Sequence, residues 1–438
     1  MERVMKFKLI GPSSVLALLV VSTALCAQTP APVPPSSPQA LTWDQVKAEF
    51  EATNPALKAD ADNVDEMRAE EITADLRPNP QLGLTVDGTQ IAPHDGEWKP
   101  FAGTYEVPSI SYLHERDHKR ELRLKSAQEG TQITESQHED LKRNMEFALR
   151  TAYVNTLEAK TVLEMAKADL AYYDHIIAIN HDRLVAGDIA QIDFSRIELL
   201  RVQYESELQT AIVNLRTAKI QLLQMLNDDR TPVDQFDVTG PFDFSDTLEP
   251  LDNFRQIALA NRPDLQAAMQ TIQQSQTNHK LAISNGSTDP TFSLWYTQNA
   301  STNNPNATQT LGASVNVPLR IFDRNQGEKQ RTQIDIDRSQ QAAEATRAQV
   351  FSDVDSAYAQ VQSNIDLLKP YKAKYNAEAL NVRDTVTYSY QHGGASLMDF
   401  LNAQSDYRQV QLAYVQLIGA YLTAAGQLNL AVGQEVIQ

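Results

Sequence analysis

The sequence predicts a mainly α protein with a small β part, built twice from one unit in the order helix, strand, strand, long helix, shorter helix. Three observations carry this expectation. Ordered matches recur 206–210 positions apart: Asn54-Pro55-Ala56-Leu57 returns as Arg262-Pro263-Asp264-Leu265, Val107-Pro108 as Val317-Pro318, and Asp193-Phe194 as Asp399-Phe400. Apolar residues keep a sustained three-four spacing, the seam period of packed long helices. Four short segments alternate apolar and polar residues, as half-covered strands do.

The chain opens with Arg3, Lys6 and Lys8, an apolar run from Val15 to Leu25, and small residues at Cys26 and Ala27. A basic start, a short apolar core and a small-residue exit describe a secretory signal peptide over 1–27. That run is shorter than the about 20 residues a spanning helix needs. A rival reading makes Cys26 the acylated first residue of a lipoprotein, although Leu25 stands where a small residue is expected. The Pro/Ser-rich stretch at 28–41 is a linker, since its prolines favour extended chain and remove donors. The first repeat then occupies 42–230, a connector 231–247 and the second repeat 248–438. No later stretch is expected to cross a membrane as a helix, so a membrane-bound form would have to be a β-barrel.

Composition narrows the function. With 38 Lys+Arg against 56 Asp+Glu the net charge is -18, which argues against nucleic-acid backbones as partners. A single cysteine excludes a disulfide framework and a thiolate metal cluster. Only 16 glycines favour long helices over loop-rich β folds.

In the first long helix Leu149, Ala152, Thr156, Ala159, Leu163, Tyr173, Ile177, Asn180 and Leu184 carry the seam, and Ile197, Tyr204, Leu215 and Leu222 resume it after Gly187. Val350, Val354, Ala357, Val361, Ile365 and Leu368 do the same in the second copy, followed by Tyr407, Tyr414, Tyr421 and Leu428. A continuous helix from Leu113 to Ala186 would be roughly 110 Å long. Gly187 and Gly393-Gly394 break the seams, so each copy reverses there in a helical hairpin, tipped at Val185–Gln191 and Gln391–Leu397. At the other end Leu82, Leu84 and Val86 alternate with Gly83, Thr85 and Asp87, while Leu311, Ala313 and Val315 alternate with Gly312, Ser314 and Asn316. Aromatic residues (Trp98, Phe101, Trp295) lie close to the polar loops Thr89–Lys99 and Asn299–Gln309. An apolar face, aromatic strand ends and polar loops are outer-membrane barrel features. Four strands cannot close a barrel, whereas three chains supply twelve.

On these residues, and on Val317–Gly327 and the stretch Tyr390-Gln391-His392-Gly393-Gly394 leading to Asp399-Phe400-Leu401, the chain resembles the TolC-type outer-membrane efflux proteins. The resemblance implies a homotrimer in outer-membrane lipid, with a twelve-stranded barrel continuing into a periplasmic α-helical coiled-coil tunnel. It implies an exit duct joined through a periplasmic adaptor to an inner-membrane pump. The wording of Val317–Gly327 is most similar to the heavy-metal and cation branch. No enzyme activity, cofactor or nucleic-acid partner is implied. Adaptor docking is expected at the tips, around Leu184, Ala186, Gly187 and Asp188 in one copy and Tyr390, His392 and Gly393 in the other. The family's tunnels narrow at the tip through an acidic ring. Asp399 falls on that position, six residues after Gly393, with Asp193 its counterpart. Asn402 stands where a second carboxylate would deepen the ring, and Ala395 where an arginine would lock it. The expected closing link is Tyr390 to Asp193, and crowding should raise the carboxyl pKa values of the ring. The alternative is that Asp399 merely caps the returning helix.

His114-Glu115-Arg116-Asp117-His118 also fits the zinc-protease pattern H-E-x-x-H, which makes a secreted metalloprotease a competing reading. The charged Arg116 and Asp117, and alignment with the entrance of the second long helix, argue against it. A purely structural envelope coiled coil would account for the seams but leaves four amphipathic strands unused.

Overall fold

The computed structural model describes residues 40–299 and 305–437. The signal segment, Cys26, the linker up to residue 39 and part of the Asn299–Gln309 loop lie outside the described residues. The first copy holds α1 (Trp43–Thr53), α2 (Pro55–Asp75), β1 (Gln81–Asp87), β2 (Tyr105–Leu113), α3 (Lys119–Ala186) and α4 (Gln191–Met225). The second holds α5 (Leu251–Asn261), α6 (Pro263–Ser284), β3 (Thr291–Gln298), β4 (Gln309–Asn316), α7 (Gln326–Pro370), a π-helical turn (Tyr371–Tyr375), α8 (Asn376–Gln391) and α9 (Leu397–Val432).

The opening helix of each copy is split in two. Proline has no N–H to contribute and is tolerated at the first helical position. Pro55 and Pro263 therefore start new helices. Asn54 caps α2 by accepting from the Ala56 and Leu57 amides at 2.9 and 3.2 Å. Arg262 holds the equivalent joint differently, forking onto both oxygens of Asp264 at 3.0 and 2.6 Å and reaching Asp353 at 2.8 Å.

The first long helix starts at Lys119, not Leu113. Leu113 closes β2, and Asp117 and His118 turn the chain with positive φ before α3 begins. Its 68 residues still reach roughly 100 Å at 1.5 Å per residue. The second long helix is interrupted: Pro370 stands at the end of α7, and the five-residue π turn precedes α8. The apolar series stops at Leu368, two residues earlier.

The seams point inward. Leu149, Thr156, Ile197 and Leu222, with Val350, Val354, Val361 and Leu368, are fully buried. α1 lays Val46 and Phe50 on Leu149 and Tyr153 of α3 and Leu222 of α4. α5 lays Phe254 and Ala258 on Val350 and Val354 of α7, joined by Phe244 of the connector and Leu428 of α9. Each copy thus carries a short accessory helix on one side of its long pair. Against expectation, α9 is long and apolar enough to cross a membrane by length and composition alone. Its Ile418, Tyr421 and Leu422 are packed in the core instead.

The strands form one antiparallel sheet in the order β1-β2-β3-β4, so the copies meet at β2–β3. Facing residues in an antiparallel pair project to the same side. The register sets Leu82 beside Ile110, Ile110 beside Leu294, and Phe292 beside both Tyr112 and Val315. These form an apolar face that none of the described residues covers: Leu82, Leu84, Leu294, Leu311 and Val315 are all exposed. The other face carries Gly83, Thr85, Ser109, Ser111, Ser293 and Ser314 in matching register. At the base Lys119, 4% exposed, binds Asp289 at 2.6 Å and the Ser287 carbonyl at 3.1 Å, tying α3 to the entrance of β3.

Candidate functional site

The helical hairpins end in two different turns. At the first, Gly187 takes φ +83°, a left-handed conformation open to glycine at little cost. The Gly187 and Asp188 amides fold back onto the Leu184 and Arg183 carbonyls at 3.0 and 2.8 Å, the hydrogen bonding of a glycine-terminated helix end. Leu184 is half-buried, while Ala186, Gly187 and Asp188 are exposed. Val185 and Ile192, both exposed, flank them. Asp193 is half-exposed and 3.7 Å from Arg196 of its own helix.

At the second turn Gly393 takes φ +76°, and the Gly394 amide bonds the Ser389 carbonyl at 2.7 Å. His392 is exposed, with Nδ1 2.8 Å from the Tyr388 carbonyl and its ring 4.0 Å from that of Tyr388. Ser396 and Asp399 form a reciprocal capping box at the start of α9. The Ser396 Oγ and amide donate to Asp399 Oδ2 at 2.7 and 3.1 Å, and the Asp399 amide returns to Ser396 Oγ at 3.2 Å. These Ser396 bonds hold the Asp399 carboxyl below its ordinary range within one chain. The sign is opposite to that expected from crowding, because crowding needs neighbouring chains and capping does not. Asn402 is exposed one turn further on.

The expected link from Tyr390 to Asp193 is corrected. Tyr390 is 6% exposed and does join the hairpins, but its hydroxyl donates to Asn180 Oδ1 of α3 at 2.9 Å. Its ring stacks on Phe400 at 4.9 Å, and the Arg183 guanidinium lies 4.9 Å over it. Burial pushes the Tyr390 phenol up, with Arg183 opposing. Ile176 of α3 completes this plug with Tyr390 and Phe400. Asn180 is fixed by its own amide on the Ile176 carbonyl at 2.8 Å. Asn180 and Arg183 are the Tyr390 partners that tip chemistry alone did not single out. The available signal was Asn180, an amide in a seam otherwise made of apolar residues and Thr156, a device that sets register.

The zinc-protease pattern does not form a site. Its two histidines would have to share one face of a helix. Residues 114–118 lie in the connection before α3 instead, and Glu115 is engaged by Arg123 in a bidentate ion pair. Among the described residues no three His, Cys, Asp or Glu side chains gather where a metal could be held.

Comparison with known proteins bears on both ends of the chain. Residues 254–434 match the family model described as outer membrane efflux protein. The cobalt-zinc-cadmium resistance protein CzcC of Cupriavidus metallidurans is 23% identical over 397 residues, spanning 90% of each chain. Among solved structures, CusC superposes with a TM-score of 0.71 at 18% identity, covering 93% of this chain and 98% of that one. The CmeC outer membrane channel of Campylobacter jejuni superposes with 0.72 at 14%, covering 90% and 87%. The fold is that of these channels.

Proposed function

We propose, from the match of residues 254–434 to the family model described as outer membrane efflux protein, that three copies of this chain close into the outer-membrane duct of a tripartite efflux system. One observation carries the reading: a four-stranded sheet whose apolar face is exposed and whose edge strands, β1 and β4, have no further strand partner among the described residues. Unpaired edges and bare apolar strands are costly in water, and barrel closure in lipid removes both. Three sheets give twelve strands, with the Ser/Thr/Gly face lining the lumen and the Leu/Ile/Val face meeting the outer membrane. The long helices continue the lumen into the periplasm, and the two tips are the parts furthest from the barrel. There Val185 and Ile192 offer apolar surface, beside Gly187 and His392, to a periplasmic adaptor and through it to an inner-membrane pump.

The likeness to a cobalt-zinc-cadmium resistance protein supports metal cations as cargo. The duct carries out no catalytic step and needs no cofactor. Asp399 and Asp193, brought together threefold, supply the negative field of the gate, while Tyr390 holds the hairpins closed through Asn180. The test is assembly and conductance. Crosslinked trimers in detergent that open channels in planar bilayers are expected; monomers only, with no conductance, would refute the reading.

A further inference from the structure

Glu158 of α3 is a charged side chain that neither the tips nor the barrel accounts for. It is half-buried, and among the described residues no hydrogen bond or ion pair to it is present. It opens into a groove of about 730 Å³ between α3, α7 and α9. The rest of the lining is uncharged, with the amides of Asn155, Gln360, Asn364, Gln416 and Gln427 prominent in it. Removal from water without a compensating cation pushes the Glu158 carboxyl above its ordinary range.

The position is built for. Gly419 lies in the interior of α9, where glycine weakens a helix. A methyl group there would overlap Glu158 Oε2, so the missing side chain is the notch that the carboxylate occupies. The groove lies on a definite side of the wall. Ile418, Tyr421 and Leu422 of α9 face the accessory layer of Phe244 and Phe254. Gln416, Ala420, Thr423 and Gln427 project from the other side of the same helix. α3 repeats the division, with Leu149 and Tyr153 under α1 and Asn155 and Glu158 in the groove. Three copies closed with the accessory helices inward would fill their own bore, so the groove face is the inner one.

We propose that Glu158 is a cation-binding point on the inner wall of the duct, midway between gate and barrel, where in each chain the carboxylate and the surrounding amide oxygens hold a hydrated divalent cation in transit. The donors are all oxygen, the set that suits hard, partly hydrated cations, and one carboxylate per chain binds weakly enough to release. The proposal rests on the duct reading.

The experiment is single-channel recording with Mg²⁺ as the probe, on wild type, Glu158→Gln, Gly419→Ala and the double variant. At 0.1 M salt, where the screening length is about 10 Å, Glu158→Gln should lower the cation-over-anion permeability ratio about twofold. It should also weaken Mg²⁺ block about threefold. Both differences should fade at 1 M, where that length is about 3 Å. Gly419→Ala, which displaces the carboxylate, should alter block in the presence of Glu158 and change nothing further once Glu158 is Gln. Unchanged selectivity and block in Glu158→Gln overturns the proposal, as does a Gly419→Ala effect that persists without Glu158. Absence of any wild-type conductance overturns the duct reading itself.

Discussion

Replacing Tyr390 with Phe tests what closes the tip. The substitution keeps the ring that stacks on Phe400 at 4.9 Å and removes only the hydroxyl that donates to Asn180 Oδ1 at 2.9 Å. Asn180 is 2% exposed, so its carbonyl oxygen is left in a site that water reaches poorly. An unpaired buried acceptor costs about 1–3 kcal/mol. If the hairpins part on opening, that cost falls on the closed state alone. The closed-to-open ratio then drops by about 5- to 150-fold for each chain that must move. Open probability in single-channel records at fixed voltage reads this directly. Asn180→Ala should act in the same direction, and the double variant should be clearly non-additive, since both changes remove one contact. An open probability for Tyr390→Phe equal to that of wild type, in channels that conduct normally once open, would refute the reasoning.

Further expectations concern the barrel, its junction and the gate. Leu84, 70% exposed at the centre of β1, faces lipid in the closed barrel; Leu84→Lys should cost about 2–4 kcal/mol per chain, read as a lower urea midpoint of the lipid-embedded trimer, and an unchanged midpoint would contradict a lipid-facing position. Lys119→Met leaves the part-buried Asp289 carboxylate with the Arg116 amide at 2.9 Å but, among the described residues, no cation in contact. Trimer stability should therefore fall by about 3 kcal/mol, the low end for a broken buried pair, and Asp289→Asn added to Lys119→Met should restore much of the loss. Ser396→Ala removes the hydroxyl bond, the larger of the two Ser396 contributions that keep the Asp399 carboxyl low, and leaves the amide bond. A depressed carboxyl stabilises the capped form above the ordinary carboxylate pKa, and that contribution is lost as pH falls through the lowered value. The variant should therefore lose cation preference at a higher pH than wild type as the bath is acidified; coincident titrations would separate Asp399 from the gate.

What could be read in the sequence was whatever repeats along one helix or strand. The seam from Leu149 to Leu184 and the alternation from Leu82 to Val86 depend on local period alone, and both lie on the expected faces. The capping role of Asp399 was also legible, since Ser396 precedes it by the three residues of a capping box. The start of α3 was not, because the polar residues 114–118 fit a helix entrance as well as the positive-φ turn they form. The π turn after Pro370 was visible only as the point where the apolar series stops. Spacing cannot show which residue of one hairpin lies level with a residue of another. Spacing therefore points Tyr390 at Asp193, while three-dimensional packing sets it against Asn180.

The duplication turns contacts inside one chain into a template for contacts between chains. Within the chain β2 of the first copy pairs with β3 of the second, and α9 of the second copy packs on α3 of the first. By repeat correspondence β4 stands for β2, β1 for β3, α4 for α9, and α7 with α8 for α3. The missing pairing is then β4 with β1 of the next copy, which closes the sheet without a new kind of edge. The missing helix contact is α4 with α7–α8 of the next copy. α4 carries the surface this requires: Leu199, Val213 and Ile220 fall on a seven-residue repeat and are 71%, 59% and 48% exposed in the single chain. A heptad seam left bare along one face is stable only when another helix covers it. The partner that fits by construction is a second copy of the same chain, turned by a third of a revolution.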